Sequence, residues 1–198
     1  PEILCMGTYG DETDFFTIKG WVETLLDSFG IRNAKYVKDS ENPSYHPGRC
    51  AKVYLGEDCL GTFGQIDPRV MANYGIDSEF YCAELSFQVL FDHQGGLPVY
   101  APLPRFPSTT RDIAVVCDKT IPVGDLKETI LAAGGEYLKE CNLFDVYTGS
   151  HMDADKKSVA FSLVMRSDTQ TLTDTEADEV FQSVLQALKE KHGAVIRS

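Results

Sequence analysis

A chain of 198 residues holds one large domain or two small ones, and 43% hydrophobic with 24% charged residues is ordinary for a soluble globular protein. The net charge of −12 argues against a generic polyanion-binding surface, so DNA is not expected as a partner. No apolar run approaches the roughly 20 residues that cross a bilayer, so no membrane partner is expected either.

The opening stretch, PEILCMGTYG, has no basic segment followed by an apolar one and does not read as a signal peptide. It reads as a strand met midway, as in a piece of something longer. Asp14 can cap a helix running to Phe29, because Phe15, Ile18, Val22, Leu25, Leu26 and Phe29 recur at helical spacing before Gly30. Strands are predicted at Ala34–Lys38, Cys50–Leu55 and Leu60–Ile66, the last two joined by a hairpin-like turn at Gly56-Glu57-Asp58. The HPGR segment, His46 to Arg49, is expected to be a structural turn between strands. A short helix follows from Pro68, and Glu79 to Phe91 reads as one long strand.

Val99 to Ser108, VYAPLPRFPS, holds three of the nine prolines. Each fixes its own φ and biases its predecessor to extended conformations, so the domain boundary is placed here, dividing residues 1–102 from 103–198. The first part carries 7 Lys+Arg against 15 Asp+Glu, a net of −8, and the second 11 against 15, a net of −4. RNA contact by either must therefore be local and geometric.

Beyond the boundary, Arg111–Asp118 reads as a strand. Pro122–Ala133 reads as a helix with proline in its first turn. Leu138–Tyr147 and Lys156–Ser167 read as two strands joined by TGSHMDADK. Thr173 with Glu176 forms a capping box for a helix to His192, whose apolar stripe is Ala177, Val180, Phe181, Val184, Leu185 and Leu188. Gly193 ends it, and Ala194–Arg197 is a short last strand. The order β-α-β-β-α-β is that of a ferredoxin-like fold, so the chain as a whole is assigned to the α+β class.

Strand alternation then sorts the faces. Val159, Phe161, Leu163 and Met165 face the helices, as do Ile113, Val115, Cys117, Phe144, Val146 and Ile196. The open face gathers Ala114, Asp145, Tyr147, Ser158, Ala160 and Arg197. An aromatic ring and a guanidinium offer a base something to stack on, and a carboxylate can accept from its edge. From pattern alone, a solvated or packed sheet face is an equal reading.

The six cysteines form no C-x-x-C pair and sit among apolar or small neighbours. They are expected to be small core residues in a reducing compartment, in preference to disulfides or metal ligands. The four histidines show no ligand spacing, so no metal site is expected. No Ser/His/Asp or Cys/His constellation can be assembled, and no catalytic residue is assigned.

RFPSTTRDIAVVCD, AGGEYLKECNLFDVYTG, KKSVAFSLVMRSDTQTLTDTEADEV and the terminal GAVIR resemble the ferredoxin-fold anticodon-binding domain that ends the beta subunit of bacterial phenylalanine–tRNA ligases. FFTIKGWVETLL, YHPGRCAKVYLGEDCLGTFGQIDPRVMANYGI and FYCAELSF resemble the end of the same subunit's catalytic-like module, a class II synthetase fold without the chemistry. The resemblance covers nearly the whole chain, with no single motif carrying it. It implies a cytoplasmic tetramer of two alpha and two beta chains that joins phenylalanine to its tRNA with ATP and magnesium, neither of which this fragment would hold. It also implies that Tyr147 stacks on the first anticodon base, Asp145 reads the guanine edge, Ala114 lies beneath, and Ser158 and Arg197 flank it. Arg111 is expected to pair with Asp112 and fix the first strand, with phosphate contact the lesser reading. Lys156 and Lys157 are weighed equally as solvated strand ends and as phosphate contacts. The alternative from another class is a ferredoxin-like regulatory or oligomerisation module that binds no RNA.

Overall fold

The computed structural model describes residues 2–96, 99–100, 102–149 and 152–197; Ala101 of the proline-rich boundary and Ser150 and His151 of the TGSHMDADK loop lie outside the described residues. The chain divides into two compact units, Pro1–Tyr100 and Ala101–Ser198.

The first unit runs β1 (Ile3–Tyr9), α1 (Phe15–Ser28), β2 (Ala34–Lys38), β3 (Tyr45–Leu55), β4 (Asp58–Ile66), α2 (Pro68–Asn73), β5 (Phe80–Ser86) and α3 (Phe87–Asp92). Its five strands form one antiparallel sheet in the order β1-β5-β4-β3-β2. Asp14 caps α1 by accepting from the Thr17 amide at 2.8 Å, and the helix buries Ile18, Val22 and Leu26 on a sheet face that includes Val53, Phe63, Tyr81 and Leu85.

Three expectations for this unit are corrected. Glu79 to Phe91 is not one strand, because the Ser86 hydroxyl accepts from the Val89 amide and starts α3. His46 to Arg49 does not separate two strands but lies inside β3, where the register with β4 shifts between Tyr45 and Cys50. There Arg49 Nη1 donates to Gln65 Oε1 at 2.8 Å and to Glu79 Oε1 at 3.2 Å, and β4 passes so close that a Cβ on Gly64 would come 2.2 Å from the Arg49 carbonyl oxygen. Finally, the cysteines are not uniformly core residues. Cys50, Cys82, Cys117 and Cys141 are buried, whereas Cys5 and Cys59 are exposed, and all six are free thiols. Cys5 Sγ lies 3.5 Å from Cys82 Sγ, and burial pushes the Cys82 thiol up to about 12 and the Cys50 and Cys141 thiols up to about 11. Those three are protonated, unreactive thiols at neutral pH.

The second unit runs β6 (Thr109–Asp118), α4 (Val123–Ala133), β7 (Leu138–Tyr147), β8 (Lys156–Met165), α5 (Asp174–His192) and β9 (Val195–Ile196). The sheet order β7-β8-β6-β9, with antiparallel neighbours, is two interleaved split βαβ units: the ferredoxin-like fold. Pro122 stands at the cap of α4, not within its first turn, and offers no side-chain bond. The core lies between one sheet face and the two helices, where Ile113, Val115, Cys117, Val159, Phe161, Leu163 and Met165 meet Leu126 and Ile130 of α4 and Ala177, Val184 and Leu188 of α5.

The capping box of α5 is complete: the Thr173 hydroxyl accepts from the Glu176 amide at 3.3 Å, and the Thr173 amide donates to Glu176 Oε2 at 2.8 Å. Thr173→Ala leaves one first-turn amide without its partner and is expected to destabilise the unit by about 1 kcal/mol in chemical denaturation.

Candidate nucleic-acid interface

The face of the second sheet away from the helices is set by the register. Tyr147 pairs with Ser158 and Ser158 with Val116, while Asp145 pairs with Ala160 and Ala160 with Ala114. The Arg197 amide donates to the Ala114 carbonyl at 2.9 Å, which extends this second row onto the β9 side. The five candidate residues Ala114, Asp145, Tyr147, Ser158 and Arg197 therefore occupy two adjacent rows of one surface.

Tyr147 and Arg197 belong to opposite edges of the sheet, about 14 Å apart at three strand spacings. Yet the Arg197 guanidinium carbon lies 5.3 Å from the centroid of the Tyr147 ring. The two side chains must reach over the intervening strands, which explains why Ser158 and Ala160 are 3% and 7% exposed although they point away from the helices. Small residues in the middle rows are what allow this: a larger side chain there would hold ring and guanidinium apart. The result is a flat aromatic surface beside a carboxylate, with a cation over the ring.

One placement by simple alternation is corrected. β7 carries a register shift between Leu143 and Asp145, so Phe144 is an extra residue of a bulge and stands 59% exposed, not inward. Before the bulge Cys141 and Leu143 face the helices; after it Val146 does, and Asp145 and Tyr147 come out on the open face. Ile196 pairs with Val115 on the helix side as expected, but its edge position leaves it more than half exposed.

The three candidate phosphate contacts part company. Lys156 pairs with Asp118 on the open face and its ammonium lies 3.9 Å from the Asp118 carboxylate, which the Thr120 hydroxyl and amide hold below the usual carboxylate range. Lys157 is the reverse case. It pairs with Cys117 on the helix side, is nearly buried, and donates to the Ile121 carbonyl. Arg111 also lies on the helix side, opposite Leu163, and meets Asp174 at 3.4 Å and Asp178 at 3.7 Å in α5, not Asp112. The open face continues into a row of Asn142, Ser162 and Asp112 that the sequence did not assemble, because the bulge hides the phase of Asn142. Among the described residues, no three metal-ligating side chains converge, and no helix is long and apolar enough to cross a membrane.

The second unit, which follows the antiparallel-sheet unit in the chain, is thus a ferredoxin-like sheet whose open face presents an aromatic ring, a guanidinium and a carboxylate. Residues 104–197 match the family model described as the ferredoxin-fold anticodon binding domain, and residues 1–87 match that of the phenylalanyl tRNA synthetase beta chain CLM domain. The phenylalanine–tRNA ligase beta subunit of Clostridium tetani is 39% identical over 194 residues, covering 98% of this chain and 24% of that protein. Those of Bacillus licheniformis and Bacillus subtilis are 43% and 42% identical over 184 residues, covering 93% of this chain and 23% of each relative. The chain belongs to the phenylalanine–tRNA ligase beta subunit family, and it spans about a quarter of the length of the curated relatives it matches.

Proposed function

We propose that residues 103–198 bind the anticodon of the tRNA for phenylalanine, with the first anticodon base stacked on Tyr147 and its edge read by Asp145. Ala114 and Ser158 form the floor, and Arg197 closes the site from the other edge of the sheet. The observation that carries this is the Tyr147–Arg197 contact across four strands, with Asp145 in the neighbouring row. Guanine presents adjacent N–H donors on its pairing edge, which a carboxylate can accept together; adenine lacks that pair. Lys156, on the same face, is the proposed phosphate contact. Residues 1–102 contribute to assembly and carry no active site. The larger protein would be the cytoplasmic ligase that joins phenylalanine to its tRNA, a tetramer of two alpha and two beta chains. ATP and magnesium belong to that whole enzyme.

The test is a fluorescence-anisotropy titration of this chain with the anticodon stem-loop. Guanine at the first anticodon position is expected to be preferred over adenine by about 1–3 kcal/mol, the range of one bidentate edge contact. Equal binding of the two would remove Asp145 from base recognition. A dimer that buries Tyr147 and Arg197 and binds no stem-loop would favour an oligomerisation module instead.

A further inference from the structure

β7 ends at Tyr147, and two residues later the backbone passes against the far end of that residue's own side chain. A Cβ built on Gly149 would stand 2.0 Å from the Tyr147 hydroxyl oxygen, 2.2 Å from Cζ and 2.7 Å from Cε2. Carbon atoms do not approach so closely, so the ring as it lies requires a residue without a side chain at position 149. Backbone freedom is not the reason, since Gly149 is absent from the glycines with positive φ. Space is the reason. The obstructed atoms are the end of a side chain with two rotatable bonds, so an added methyl would be relieved by rotating the ring, at little cost to the fold. What would be lost is the ring's direction.

That direction is what brings Tyr147 within 5.3 Å of Arg197 across the sheet. We propose that Gly149 is a positioning residue for Tyr147: the vacancy at its α-carbon lets the ring lie over Ser158 towards Arg197, in the attitude that takes the anticodon base. This rests on the base-stacking role given to Tyr147 above. Gly149 touches no base itself and acts only through the tyrosine.

The experiment compares the native chain with Gly149→Ala, Tyr147→Ala and the double variant. Two quantities are read: the NMR shift of the Arg197 δ-protons, which feel the ring current of Tyr147, and the affinity for the anticodon stem-loop. Gly149→Ala is expected to abolish the Arg197 ring-current shift and leave the melting temperature unchanged. It should weaken stem-loop binding about tenfold, within the range of one base stack. In the Tyr147→Ala background the same substitution should change affinity less than about twofold, because its partner is gone. An unaltered Arg197 shift in Gly149→Ala overturns the proposal whatever the RNA does. A lost shift with native affinity overturns it too, provided that Tyr147→Ala alone weakens binding. If Tyr147→Ala alone leaves affinity untouched, the base-stacking role itself falls, and the lost shift still upholds Gly149 as the determinant of ring direction.

Discussion

Replacing Tyr147 by alanine is expected to weaken binding of the anticodon stem-loop by about 1–3 kcal/mol, the loss of one base stacked on an aromatic ring. The reasoning is competitive. In the free protein the Arg197 guanidinium covers the ring, and a cation–π contact at an exposed site is worth about 0.5–1 kcal/mol. A base stack is worth more, so the base displaces the guanidinium, which is then free to meet the base edge or a phosphate. The alanine variant removes both the stack and the resting contact, and the range of about 1–3 kcal/mol, itself the outcome of alanine substitution, is the net of the two. Stability should change little, because Tyr147 is only half-buried and stands at the end of an edge strand. Anisotropy titration and a thermal melt on one sample separate these effects. Native affinity in a folded Tyr147→Ala variant would refute the assignment.

The second large effect is structural. Phe161 is fully buried at the middle of β8, flanked by Ile113 on one side and Leu143 on the other. Phe161→Ala is expected to destabilise the second unit by about 3–5 kcal/mol, combining the lost transfer energy with an unfilled cavity. That is a large share of the roughly 5–15 kcal/mol that holds a domain folded. Urea denaturation followed by near-ultraviolet circular dichroism measures it. Stem-loop binding should fall with the folded fraction, because Ser158 and Ala160 lie on the opposite face of this strand. A loss below about 1 kcal/mol would mean that Phe161 is not the centre of this core.

What the sequence revealed, and what it hid, divides along a physical line. Val159, Phe161, Leu163 and Met165 alternate without interruption, and all four are fully buried. Thr173 and Glu176 announce the start of α5 because a capping box is local chemistry. The outward set Ala114, Asp145, Tyr147, Ser158 and Arg197 was legible for the same reason. Alternation places each residue on its face, although it cannot say that Tyr147 and Arg197 meet. Errors arose where a non-local partner decides. The bulge at Phe144 exists only relative to β8, so counting along β7 alone gave Phe144 the wrong face. Lys157 begins a strand that looks solvated, yet the Ile121 carbonyl takes its ammonium. Arg111 chose acids in α5 over its sequence neighbour. Ser86 had the chemistry of a helix cap, but the apolar run through Phe91 masked it.

The brevity of β9 has a kinetic side. Two paired residues, Val195 and Ile196, and the Arg197 amide bond to Ala114 are what fasten this strand to β6, and neither side chain is deeply packed. Short, poorly covered elements open locally long before the rest of a domain unfolds. Arg197 thus rides on the least securely fastened strand of the sheet, while Tyr147 ends a ten-residue one. The lid over the ring can leave and return on a faster clock than the platform beneath it. On the proposed reading, a base arriving at the sheet would meet Tyr147 with its cover intermittently lifted, and its association need not wait for any rearrangement of the fold.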